Sequence, residues 1–318
     1  MIVIPRISQA TKSNCPPDYE GLIFNLMRPR SAEPYHCMPY SHIPKVFTLG
    51  PAGTFSDQAA RQVCSNFDAI HYTKNFNEAI VRVAETPNSV AVVPIENSVA
   101  GTVTQIQDAL VTEELIILDE FPMRIRYALL ANAPLQQVTQ FFAHEQAYGQ
   151  TLQYTARHLC SADHIYTRSN TDSATQFFST SEQRIPQAAI VPINLVEEHQ
   201  DFVVAQDIQD YPNNTTRFVV VRKREDKEQL DFRQRKTSLF IEFETDRAGL
   251  LYEMLSIFNA YRINLCRLES RPSKRIPWSY VFFVDLYNNQ ESQRCLSDLE
   301  HSGFRAKILG CYDSLPRM

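Results

Sequence analysis

An α/β fold in more than one unit is what this sequence predicts, on three observations. Short apolar runs alternate with helical patterns from residue 46 onward, a mixed-charge stretch divides the chain near residue 230, and the segment beyond it reads βαββαβ. The 318 residues are 44% hydrophobic and 21% charged, a globular composition long enough for two or three domains that need no disulfides.

In the first part, 46–49 reads as a strand. Residues 55–64 read as a helix opened by Thr54 and Asp57 in a T-x-x-D capping pattern, and 90–95 as a buried strand. A helix over 103–110, a strand over 115–118 and a second alternation from 125 to 191 extend the order. An internal echo, Ala91-Val92-Val93-Pro94-Ile95-Glu96-Asn97 against Ala189-Ile190-Val191-Pro192-Ile193-Asn194, suggests two similar lobes. A cleft between such lobes places a small-molecule site at the C-terminal ends of strands. Residues 223–236 are expected to be a linker. Beyond them come strand 238–243, helix 248–261, strands 263–268 and 280–286, helix 292–301 and strand 305–309, which is the ferredoxin-like order. Residues 1–44 carry seven of the 18 prolines and no periodicity, an extension that could be flexible, drape over the body or be the remnant of another module.

Composition narrows the function. Thirty-one Lys and Arg against 36 Asp and Glu leave no basic excess for nucleic acid. The seven scattered cysteines form no CxxC pair and read as reduced thiols in a cytosol, without a metal site. No apolar run reaches the roughly 18 to 20 residues that span a membrane, and residues 1–8 are no signal peptide. The histidines form no HxxxH or HExxH set, so metal and nucleophilic catalysis are disfavoured.

Three segments can carry chemistry. Gly50-Pro51-Ala52-Gly53-Thr54-Phe55-Ser56 lies between strand and helix, where backbone N–H groups can bind an anion, although a plain turn and cap fits as well. Residues 92–98 put Glu96, Asn97 and Ser98 just after a buried strand, with a solvated Glu96 as the alternative. Residues 213–221 place Thr216 and Arg217 where a polar turn enters an apolar strand. Arg217 could grip a carboxylate and Thr216 could donate to a departing oxygen, or they are a strand-start threonine and a surface arginine.

Together GPAGTFS at 50–56, PIENSVAGTV at 94–103 and NTTRFVVV at 214–221 resemble the prephenate dehydratase family in order and distance. The resemblance covers about residues 46–312. It implies a two-lobed, periplasmic-binding-protein-like α/β catalytic domain over 45–222 and a ferredoxin-like ACT regulatory domain over 237–313. Such an enzyme, in the phenylalanine pathway, converts prephenate to phenylpyruvate, CO2 and water without a cofactor. By resemblance Thr216, Asn97 and Gln150 are catalytic, with Glu96 an open candidate for proton source. Arg217, Asn214, Ser98, Thr54, Thr171, Gln146 and His144 are implied to bind substrate. Gly249, Leu250, Glu269, Ser270, Arg271 and Pro272 are implied to bind regulatory phenylalanine, with Trp278 and Lys274 near them and a homodimer or homotetramer as the assembly. Departures stand at Ala143, where the family has a serine, at Glu145 for a proline, at 170–174 for its S-T-A segment, and at Ala248-Gly249-Leu250-Leu251 for P-G-A-L. These leave an arogenate dehydratase, a non-aromatising decarboxylase or an inactive amino-acid sensor as rivals.

Overall fold

The computed structural model describes residues 39–181, 185–226, 228–243, 247–273 and 279–315. The expected extension up to residue 38, Lys274 and Trp278 lie outside them. The described chain forms one compact unit. It begins with strand β1 (Lys45–Leu49), helix α1 (Phe55–Val63), β2 (Ile70–Thr73), α2 (Phe76–Glu85) and β3 (Ser89–Asn97). The short β4 (Gly101–Thr102), α3 (Thr104–Thr112) and β5 (Leu115–Arg124) follow. The chain then builds β6 (Tyr127–Ala131), β7 (Gln140–His144), α4 (Glu145–Gly149), α5 (Leu152–His158), β8 (Asp163–Thr167), α6 (Asn170–Ser181), β9 (Gln187–Pro192) and β10 (Val203–Gln206). It returns through β11 (Thr215–Lys223) and ends in β12 (Lys236–Phe243), α7 (Leu250–Ala260), β13 (Asn264–Pro272), β14 (Tyr280–Tyr287), α8 (Ser292–His301) and β15 (Phe304–Ser314).

The internal echo marks real equivalence. In the first lobe the order is β2-β1-β3-β11, with β3 parallel to β1 and antiparallel to β11; in the second it is β8-β7-β9-β6, with β9 parallel to β7 and antiparallel to β6. One apolar core, including Phe55, Phe121, Tyr127, Phe141 and Phe218, runs beneath both lobes. The C-terminal elements take the order β13-β14-β12-β15 with antiparallel neighbours, as the ferredoxin-like reading requires. Its helices cover one face, while Phe240, Phe283 and Leu309 on the other share a core with α2 and α3 of the first lobe. A two-residue parallel ladder, Asp313 and Ser314 against Asp119 and Glu120, joins both sheets into one of ten strands. The charged segment between β11 and β12 is fastened: Arg222 pairs with Glu228, and Arg224 donates to the Ile308 carbonyl.

Two strands outrun their sequence signal. β5 continues through Asp119, Glu120 and Pro122, because past Glu120 only β11 flanks it, so the missing Pro122 N–H leaves no ladder bond unmade. β15 continues through Gly310, which the pattern treated as a stop. β2 and α2 were not anticipated.

Two predictions concern stability. A Cβ at Gly310 would stand 2.5 Å from the Ile117 carbonyl oxygen. Gly310→Ala is therefore expected to cost about 1–3 kcal/mol in urea unfolding, because backbone rather than a flexible side chain must yield. Burial, with the nearby Asp313 carboxylate, pushes the Asp119 carboxyl up to about 6, against the opposing effect of the Tyr40 hydroxyl that donates to it. A carboxyl with a raised folded pKa contributes nothing unfavourable below its ordinary value near 3.8 and destabilises increasingly as pH rises through about 6. Wild-type stability should thus fall across that window relative to Asp119→Asn, by up to about 3 kcal/mol.

Candidate active site

The lobes meet over a cleft of about 520 Å³ at the C-terminal ends of β1, β2, β3, β7 and β8. Residues that the resemblance singled out come together here: Thr54, Asn97, His144, Gln146, Gln150 and Thr216 all line it. At the first loop Thr54 caps α1, accepting from the Asp57 N–H at 3.3 Å and donating to the Pro51 carbonyl at 2.9 Å. Its hydroxyl is thus occupied, and its part is to shape the wall.

The floor is a chain of buried amides whose polarity is fixed from one end. Asn97 Oδ1 accepts from the N–H groups of Val99 and Ala100 at 2.9 and 2.8 Å. Its Nδ2 must therefore donate, and it does so to Thr216 Oγ1 at 2.9 Å and Asn214 Oδ1 at 2.8 Å. With its oxygen taken, Asn214 donates from Nδ2 to Gln150 Oε1 at 2.9 Å. Each amide has one acceptor and one donor end, so the order runs through to Gln150, whose Nε2 is left to donate. Thr216 oxygen accepts, so its O–H is free to donate as well. Two neutral donors, the Thr216 hydroxyl and the Gln150 amide, consequently lie at the nearly buried floor of the cleft, where such groups can stabilise developing negative charge.

Burial lowers the His144 pKa, and its Nδ1 accepts from the Gln146 N–H at 3.3 Å, so the neutral ring carries its proton on Nε2. Asn214 lies behind the floor and does not reach the cleft. Ser98 is exposed and spends its hydroxyl accepting from the Thr215 N–H at 3.0 Å, which pins β3 to β11. Thr171 sits against Gly53 at the lobe boundary, while its neighbours Ser169 and Asn170 line the cleft in its place. Ala143 is wholly buried in β7, is not among the cleft-lining residues, and its carbonyl contacts His164.

Arg217 and Glu96 need correction. Adjacent residues of a strand point to opposite faces, so Thr216 in the cleft sends Arg217 away from it, and Asn97 does the same to Glu96. Arg217 is no carboxylate anchor: its Nη1 donates to Glu120 at 2.8 Å, and its Nη2 lies 3.0 Å from Glu96 and 2.9 Å from Asp285 of β14. The latter two are Coulombic contacts, since Nη2 meets neither at a hydrogen-bonding angle. Glu96 is held by this contact and by Arg267 at 3.5 Å, too far round the strand to serve as a proton source. Burial pushes the Glu120 and Asp285 carboxyls up, but Arg217 and Lys236 outweigh it and hold both below the ordinary range.

The implied phenylalanine residues divide in the same way. Gly249, Leu250 and Ser270 line a hollow of about 390 Å³ on the C-terminal unit, with Tyr280 and Phe282. Glu269 and Arg271 point to the other side of β13, into the first lobe. Glu269 accepts from Thr102 at 2.7 Å and Gln107 at 3.3 Å, and Arg271 pairs with Asp108 at 2.9 Å. Pro272 does not line the hollow either. Gly249 has open space where a Cβ would stand but a φ of +87°, so backbone conformation, and not close approach, requires glycine.

The sequence reading missed Lys74, Phe76, Tyr127 and Arg168, which complete the walls. The signal for two of them was present: Thr73-Lys74 and Thr167-Arg168 end equivalent strands of the two lobes.

A two-lobed α/β fold with a cleft lined by neutral donors and by Lys74 and Arg168 has the form of a small-molecule site. The family described as prephenate dehydratase matches residues 46–226. The prephenate dehydratase of Methanocaldococcus jannaschii is 30% identical over 84% of this chain and 97% of its own. The prephenate dehydratase of Staphylococcus aureus subsp. aureus Mu50 superposes with a TM-score of 0.72 at 31% identity, over 84% of this chain and 99% of that one. The prephenate dehydratase of Arthrobacter aurescens, solved with L-Phe, gives 0.71 at 30% over 86% and 92%. The chain belongs to the prephenate dehydratase family and is a decarboxylating carbon–oxygen lyase.

Breaking the buried ion cluster should be costly. Arg217→Gln leaves Glu120 and Asp285 short of their main cation, so a loss of about 3–5 kcal/mol is expected on urea unfolding. Arg217→Lys should recover part of it.

Proposed function

We propose that the cleft eliminates CO2 and water from prephenate to give phenylpyruvate, with Thr216 as the donor to the leaving hydroxyl. The observation that carries this is the direction of the Asn97 bond, which uses the Thr216 oxygen as an acceptor and leaves its proton available to donate to the substrate. As the ring carboxylate departs as CO2, its bonding pair enters the ring, the ring C–OH bond breaks, and the hydroxide takes a proton to leave as water. One proton from solvent balances the step. A threonine hydroxyl is too weak an acid to give its proton up unaided, so Thr216 stabilises the departing oxygen and passes on a proton restored by water. Gln150 donates beside it, and His144 and Gln146 bind from the second lobe. Aromatisation supplies the driving force, and the residues need only orient the substrate.

Phenylalanine is the regulator in this reading, bound in the hollow at Gly249, Leu250 and Ser270. Support comes from the named L-Phe complex and from β13, which carries Ser270 on one face and the Glu269 bond to the cleft residue Thr102 on the other. A ligand that favours one setting of β13 then alters the cleft by its differential affinity for that setting. We also place β13, the free edge of the ten-stranded sheet, at a contact between copies in a homodimer or homotetramer. The described cysteines are free thiols, and no described helix is long and apolar enough to cross a membrane, which fits a cytoplasmic enzyme.

The test is phenylpyruvate formation from prephenate near neutral pH. Thr216→Ala and Thr216→Val are expected to lower kcat by about 10²–10³-fold, and phenylalanine should inhibit the wild-type chain. Turnover equal to that of the variants would refute the assignment, and turnover of arogenate alone would replace the substrate.

A further inference from the structure

Among the described residues that line the cleft, Lys74 and Arg168 are the only ones with a permanent charge, and no carboxylate accompanies them. They occupy equivalent places. Lys74 follows the last residue of β2 and Arg168 the last residue of β8, strands that hold the same position in the two lobes.

The local structures share two bonds. Thr73 Oγ1 donates to the carbonyl two residues on, at Asn75, and Thr167 Oγ1 does so at Ser169, each at 3.1 Å. The Lys74 N–H donates to the carboxylate four residues on, Glu78, at 2.7 Å, and the Arg168 N–H to Asp172 at 3.0 Å. These acids therefore cap their own helices and have further partners: Glu78 takes Arg82 at 2.7 Å, and Asp172 takes Gln176 at 3.1 Å. Asp172 is left 3.9 Å from the Arg168 guanidinium, beyond hydrogen-bond reach, and the Arg168 side chain is 95% exposed. The Lys74 ammonium has no hydrogen bond or ion pair among the described residues. The backbone bonds fix both positions, while the Lys74 ammonium has no direct partner among the described residues and Arg168 keeps only its long contact with Asp172.

We infer that Lys74 and Arg168 are the carboxylate-binding pair of the cleft, one from each lobe, and that they select a substrate with two carboxylates. This rests on the proposed prephenate reading and assigns to its two anionic groups the role that buried Arg217 does not play. The floor donors Thr216 and Gln150 are neutral and act on the hydroxyl, so the dianion draws its electrostatic binding from the two loops above. A dianion held by both loops also ties the lobes across the cleft. The carboxylate that leaves as CO2 must give up its charge, so a tight buried anchor would oppose the reaction. Exposed, hydrated cations attract the substrate and release that group, which places their effect in KM more than in kcat.

The experiment titrates prephenate into the full chain carrying Thr216→Ala by calorimetry at low and moderate salt, with Lys74→Met, Arg168→Gln, both together, and the charge-keeping Lys74→Arg and Arg168→Lys. Each neutral variant should weaken binding about tenfold and the pair more steeply, with a shallower salt dependence. The charge-keeping variants should stay within about threefold of the parent. In the Thr216 background the same changes should raise KM and leave kcat within about threefold. Phenylpyruvate, with one carboxylate, should lose less than prephenate from the double variant. Neutral variants that bind like the parent, with unchanged salt dependence, would overturn the inference while leaving the dehydratase reading intact. Charge-dependent binding without turnover by the wild-type chain would do the opposite. A parent that binds no prephenate would overturn both.

Discussion

β11 has to satisfy two neighbours with adjacent residues, and much of the molecule follows from that. Thr216 enters the cleft, so Arg217 must leave it, and a buried guanidinium has to be met by carboxylates wherever it arrives. It arrives between the first lobe and the C-terminal sheet, where Glu120 of β5 and Asp285 of β14 meet it from the two units. Lys236 completes the balance, donating to both Glu120 oxygens at 2.8 and 3.0 Å, and Ser238 donates to Asp285 at 2.5 Å. β11 cannot shift by one residue without turning Arg217 to the cleft face and Thr216 to the face of the ion cluster. Such a cluster gains little net energy over an apolar contact, but it penalises every other register heavily.

The floor shows the same economy. Three side-chain amides carry a direction set by the Val99 and Ala100 N–H groups to two donors in the cleft, with no charged group involved. A chain of neutral dipoles is suited to a leaving hydroxyl, since a carboxylate there would repel a dianionic substrate and a fixed cation would bind it too firmly at the wrong end. Glu96 beside Asn97 is kept out of the cleft by strand geometry alone.

Much of this was legible in the sequence. The strand-helix alternation gave both lobes, and the ferredoxin-like order held through all six C-terminal elements. The segments at 94–103 and 214–221 contain Asn97 and Thr216, and the structure puts both in the cleft lining. The failures have definite causes. Arg217 and Glu96 were read as cleft residues because a motif is a string, whereas a strand displays alternate residues to opposite sides; the period of two was available and rules out Thr216 and Arg217 together. Glu269 and Arg271 went astray for the same reason beside Ser270. The ends of β5 and β15 were hidden because their pairing depends on each other, through a contact between Asp119–Glu120 and Asp313–Ser314 that no local pattern records.

The internal echo runs deeper than its few identities, since it extends to loops where only Thr73 and Thr167 match. Lys74 with Glu78 and Arg168 with Asp172 share neither charge-bearing residue type, yet the backbone bonds around them are the same. Sequence comparison of the two lobes registers only Thr73 and Thr167 there. What repeats is a geometry: strand end, cation, and a helix whose own acid caps the turn. A cleft between two such lobes acquires a cation on each rim above a neutral floor, and the proposed division of labour between binding at the rim and chemistry at the floor follows from that repeat.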